Sequence, residues 1–222
     1  MSDTIITVRG SFSSFYPPQR ATVHVSVGFE GANREPVFSE TLAVSSTVRS
    51  LLIERHSPAA GPVTWWSSES IQVWSSKPWS QDGVQLPPVF HSRVGFSVKF
   101  SDFTALAEWI EAVAVLDGLT VGSITWALTE ARKTAVIAEV RSRAVKDAVA
   151  KASVYAQSIG LGSVRAVALA DPGMLGDQIR VSDDGGSHPA LRMMSAGSAP
   201  ELSLTPEDIE VEAVVDARFV AS

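Results

Sequence analysis

Val23, Val25, Val27 and Phe29 alternate with Thr22, His24 and Ser26, the period-two pattern of a strand with one buried face. Val94, Phe96, Val98 and Phe100 repeat it against Arg93, Ser97 and Lys99. Ile209, Val211, Ala213, Val215, Ala217 and Phe219 do the same against Glu210, Glu212, Asp216 and Arg218. A short run from Ile5 to Arg9 predicts a first strand, and weaker signals predict others at 62–74, 119–129 and 163–169. This alternation places Val25, Phe96, Val98 and Val211 on the helix-facing side of one sheet.

Spacings of three and four residues predict three helices. Val37, Phe38, Thr41, Leu42, Ser45, Val48, Leu51 and Leu52 share one face of the first, which stops at Ser57-Pro58. Phe103, Leu106, Ala107, Ile110, Val113 and Ala114 share a face of the second. Ser101 or Asp102 caps its start, and Asp117-Gly118 ends it. The third is the longest, with Ala138, Ser142, Val145, Val149, Ala152, Ala156 and Ile159 along one face and Gly160 as its stop.

The element order is β-β-α-β-β-α-β-α-β-β, an α+β fold with a mostly antiparallel sheet of about seven strands. The chain reads as a single domain over 1–222. Residues 172–206 break the periodicity with Gly, Ser, Asp and Pro, and read as a long flexible excursion, most mobile over 183–199. From Asp171 to Asp216 there are ten acidic residues against two arginines. The negative charge of the chain is concentrated there.

Composition narrows the function classes. The 222 residues are 45% apolar and 19% charged, enough for a sizeable core. The formal net charge of −6 disfavours nucleic acid or an anionic membrane as partner. Cysteine is absent, so disulfides, thiolate metal sites and a cysteine nucleophile are excluded. No apolar run approaches the ~20 residues of a membrane span. The Met1-Ser2-Asp3-Thr4 start shows no signal peptide, which points to the cytoplasm for the chain as given.

Four stretches together resemble the SIMPL-domain family, which includes bacterial periplasmic immunogenic and outer-membrane-associated proteins. They are Gly10 with the run from Pro18 to Val27; Phe96 to Asp102; Ala144 to Ala152 with Ala156, Gly160 and Gly162; and Ile209 to Val215. The third is the most specific, an alanine-rich helix holding Asp147 and Lys151. The resemblance implies an α+β fold and a homo-oligomer, in at least one branch a channel-like ring, and no known catalytic activity. It also implies an exported or envelope-associated address as the alternative to the cytoplasm. An unidentified protein partner is compatible with it.

Candidate chemistry is sparse, and no cofactor is expected. His24 and His91 fall on polar strand faces and would form half a metal site only if their strands were neighbours. No His spacing supports that, and solvated surface histidines are the simpler reading, so no metal is expected. Residues 183–188, Asp-Asp-Gly-Gly-Ser-His, lack the alternating ligands and distal glutamate of a calcium loop. No G-x-S-x-G marks a serine nucleophile. Gly160-Leu161-Gly162 follows a helix instead of preceding one, so it is no phosphate cradle. The third helix carries Arg132, Lys133, Arg141, Arg143, Lys146 and Lys151 against Glu130, Glu139 and Asp147. This is a solvated face, or else a surface for the acidic region of a neighbouring subunit.

Trp65, Trp66, Trp74 and Trp79, interleaved with serines, are the least ordinary feature. Alternation sends Trp65 and Trp66 to opposite faces, so one leaves the core, and exposed tryptophan asks for a partner. A hairpin over 62–79 that packs between subunits is the leading expectation. Core filling, or a stacking platform for a sugar or other flat ligand, are the alternatives. The expected protein is not an enzyme and acts by assembly and binding.

Overall fold

The computed structural model describes residues 3–79, 85–175 and 204–222. Three helices and eight strands follow in the order β1 (Thr4–Tyr16), β2 (Arg20–Gly31), α1 (Arg34–Arg55), β3 (Val63–Ser68), β4 (Gln72–Ser76), β5 (Val89–Phe100), α2 (Phe103–Ala114), β6 (Leu119–Ala127), α3 (Glu130–Ser158), β7 (Val164–Ala170) and β8 (Ile209–Ala221). The strand pairing is antiparallel throughout the two sheets, and the fold is α+β as expected. The strands form two sheets where the sequence reads as one, and the described residues divide into two compact units, each with its own sheet. The excursion over 172–206 falls, apart from its first and last few positions, outside the described residues. So does the Asp183–His188 run.

The first unit holds β1, α3, β7 and β8, with strand order β1-β8-β7. Strands β1 and β8 pair along their whole length, from Thr4 opposite Ala221 to Tyr16 opposite Ile209. Ile6, Val8, Val215, Ala217 and Phe219 form the sheet side of its core. The helix side is Val136, Val140, Ala144, Ala148, Ala152 and Ala156, a row at strict intervals of four. The predicted stripe shared only Ala152 and Ala156 with it. Ala138, Ser142, Val149 and Ile159 are exposed.

The physical reason lies at Gly10. A methyl group there would stand 2.1 Å from the Ala144 carbonyl oxygen and 2.8 Å from the Ala148 Cβ. Backbone approaches that close admit only Gly on the strand and Ala on the helix, so beside Gly10 the buried row is alanine and not the most apolar stripe. Thr129 caps α3, its Oγ1 accepting from the Arg132 N–H at 3.3 Å.

The second unit holds β2 to β6 with α1 and α2, its strands ordered β3-β5-β2-β6, with β4 also on β5. Ala21, Val23, Val25 and Val27 face Phe100, Val98, Phe96 and Val94 across the central pair. These side chains are buried with Val48 and Leu52 of α1 and Leu106, Trp109 and Val113 of α2. Asp102 caps α2, its Oδ1 accepting from the Thr104 and Ala105 N–H groups. Val211 does not belong to this core: it is half-buried on β8 in the other sheet. Alternation states which face a residue takes but not which sheet its strand joins.

The strand expected at 62–74 is two strands. β3 pairs with the Phe96–Phe100 end of β5 and β4 with its Val89–Arg93 end. They run end to end along one edge and do not pair with each other as a hairpin would. Glu69-Ser70-Ile71 joins them, anchored by the Glu69 N–H donating to the Gly95 carbonyl at 2.8 Å.

Candidate functional site

The tryptophans sort by face. A bulge after Val63 sets Trp65 opposite Lys99 and Trp66 opposite Val98. Trp66 therefore packs against the core, while Trp65 turns outward, 47% exposed, with the Lys99 ammonium 5.8 Å from its ring. Trp74 is also 47% exposed and stacks on His91 with ring centroids 5.2 Å apart and 12° between planes. Trp79, 67% exposed, stands beyond the end of β4. The β3–β4 edge thus presents Trp65 and Trp74 to solvent with Trp79 at its end.

On the same open side of this sheet, its strands form a depression of about 370 Å³. Alternation carries His24 and Ser26 of β2, Arg93 and Ser97 of β5, and Gln72 of β4 to that face. Thr120 and Gly122 come from β6. Glu69, from the β3–β4 joint, lies over Gly95: a methyl group on Gly95 would sit 2.6 Å from its Oε2. The Arg93 Nη2 donates to Ser26 Oγ at 3.0 Å, and His24 Nδ1 is 3.0 Å from Ser97 Oγ. Among the described residues the Glu69 carboxylate has no hydrogen-bond or ion-pair partner, and the other His24 ring nitrogen has none either.

One step along β5 from Arg93, His91 is held at both ring nitrogens. Ser76 Oγ is 2.9 Å from Nε2, and the Glu30 carboxylate is 3.3 Å from Nδ1. β2 and β5 are neighbours, the condition set for a two-histidine site, but His24 lies opposite Ser97. His91 is therefore six residues farther along, about 20 Å away. Among the described residues no three His, Asp or Glu side chains gather to hold a metal.

In the first unit, α3 fastens to β1 beside Gly10. The Ser11 N–H donates to Asp147 Oδ2 at 2.9 Å, and Lys151 Nζ donates to the Arg9 carbonyl at 3.0 Å. The two side chains also pair with each other at 2.6 Å. Arg9 O and Ser11 N lie on the same edge of β1, so this pair covers polar groups that no strand takes. The Lys151 hydrogen bond, then the Ser11 N–H, hold the Asp147 carboxyl below its usual range. Asp216 is held low in the same way by Arg9 and the Gly173 N–H, with desolvation opposing.

Of the cations on α3, Arg143 pairs with Glu139 and lies over Phe12, and Arg132 lies over Tyr16. Part of the face expected to meet an acidic neighbour is thus already engaged within the chain.

Sequence reading missed the cluster of Glu69, Gln72 and Arg93. Strand alternation did put Arg93 and Ser97 on a polar face with His24 facing the same way. Only the β2–β5 register shows that they share one floor. Among the described residues no helix is long and apolar enough to cross a membrane. A family model described as SIMPL, a protein of unknown function (DUF541), matches residues 6–219. No curated protein matches the chain.

Proposed function

Because the chain belongs to the SIMPL family, whose role is unknown, we propose from its own geometry that it acts by homo-oligomeric assembly along the β3–β4 edge, as a binding protein and not a catalyst. The observation that carries this is the exposure of Trp65, Trp74 and Trp79 along and beside a sheet edge. Edge strands usually carry charges or prolines that discourage pairing. An edge bearing aromatic rings offers unpaired backbone groups together with the residue type most enriched in interface hot spots. Ser67, Ser75 and Ser76 between the rings leave room for close approach.

Against catalysis, the His24–Ser97 contact sits on regular strands with no carboxylate on the other His24 nitrogen among the described residues, and Ser76, which meets His91 with Glu30 behind it, ends the regular strand β4 and does not stand on the sharp turn that exposes a serine nucleophile. Light scattering at rising concentration tests the reading. The wild type should give a mass above the monomer, and Trp65→Ser with Trp74→Ser a smaller species with unchanged circular dichroism. A wild type that stays monomeric at high concentration refutes it.

A further inference from the structure

The depression on the open face of the five-stranded sheet shares only its Trp74 border with the edge proposed for assembly, none of its lining, and its chemistry is specific. The Glu69 carboxylate and the Arg93 guanidinium stand on one floor without pairing to each other. Arg93 spends one N–H on Ser26, and among the described residues its other N–H groups have no partner. Gln72 and Thr120 add groups that both donate and accept. The free His24 nitrogen adds one more.

The charges of Arg93 and Glu69 cancel. An anionic ligand would meet the Glu69 carboxylate and a cationic one the guanidinium. Ser26 and Ser97 keep the floor between these groups low, while Gly95 makes room for the Glu69 carboxylate and Gly122 for the His24 backbone. Beside Gln72 and Arg93, the stacked Trp74–His91 pair supplies an apolar surface on the same face, its imidazole fixed from both ends. Planar groups that make paired hydrogen bonds, a neutral total and an adjacent aromatic surface match the vicinal hydroxyls and C–H face of a pyranose. At about 370 Å³ the depression lies near the small end of ligand sites.

We propose that this depression, framed by Glu69, Gln72, Arg93 and His24, is a binding site for a small neutral saccharide. Glu69 and Arg93 take adjacent hydroxyls, and Trp74 borders the ring. Glycine at position 95 is what lets Glu69 lie flat on the floor.

The test is an NMR titration of the full chain with maltose, cellobiose and N,N′-diacetylchitobiose, with glycine as a zwitterionic and inorganic phosphate as an anionic competitor. At least one disaccharide should give saturable shifts at the amides of Ser26, Arg93, Gly95 and Gly122 and at the Gln72 side chain. Glu69→Gln and Arg93→Ala should each weaken that binding about tenfold, the loss of one hydrogen bond to a charged group. Gly95→Ala should weaken it too, by lifting the carboxylate off the floor while the strands stay paired. None of the three variants should change the native mass, which separates this site from assembly along the edge. Absence of saturable shifts with all three sugars overturns the proposal. So does tighter binding of glycine or phosphate, or equal affinity in the Glu69 and Arg93 variants.

Discussion

Phe96, Phe100, Leu106 and Trp109 fill the core of the second unit, whereas in the first unit α3 meets β1 through Ala144, Ala148 and Gly10. The second core excludes water by volume. The first excludes it by bringing two backbones together, with Asp147 and Lys151 fastening the contact on either side of Gly10. The two designs fail in opposite directions: one through lost volume and one through gained volume. The residues that look least important in the first unit, a glycine and a row of alanines, constrain it most.

Removing volume from the second core should have the largest effect. Phe96→Ala should cost about 3–5 kcal/mol in chemical unfolding. A loss below about 1 kcal/mol would mean that the core closes over the space and that volume does not hold it.

Adding volume to the first should come next. Gly10→Ala should cost about 1–3 kcal/mol, because the new methyl meets the α3 backbone itself. Ala138→Leu, on the exposed side of α3, should cost almost nothing. Equal losses from the two would show that the helix face has been misassigned.

The smallest effect concerns acid. Asp147 and Asp216 titrate lower folded than unfolded. Each therefore adds stability above the ordinary aspartate value of about 3.9 and loses it as the pH falls through its folded value. The protection of α3 amides, taken relative to their intrinsic exchange rates, should fall below about pH 4, and Asp147→Asn should flatten that dependence. A loss of protection confined to β2 and β5 would contradict it.

How far the sequence speaks for itself differs between the two designs as well. Alternation along β2 and β5 located the large core side chains of the second unit, because Val and Phe stand out against Thr, Ser and Lys. On α3 the pattern picked Val145 and Val149, apolar but not innermost, because hydrophobicity ranks alanine low and close approach is not a property of any single residue. The run of tryptophans was visible as a run. That it lies on two collinear strands, with Trp66 turned inward, depends on the bulge after Val63 and on pairing with β5. The cluster of Glu69, Gln72 and Arg93 has no local signature. It exists only once strands distant in the chain are set in register.

The pairing of β1 with β8 also orders events during synthesis. Arg9 and Asp216, opposite each other in the sheet, are 207 positions apart. At ~5–20 residues per second that separation is on the order of 10–40 s on the ribosome. Every strand and helix of the second unit is translated inside that interval. β1 meanwhile has neither its strand partner nor α3 until late. A nascent chain therefore carries an unpartnered strand with Ile5, Ile6, Val8, Phe12 and Phe15 ahead of a unit whose strands and helices are already made and which still awaits Leu204.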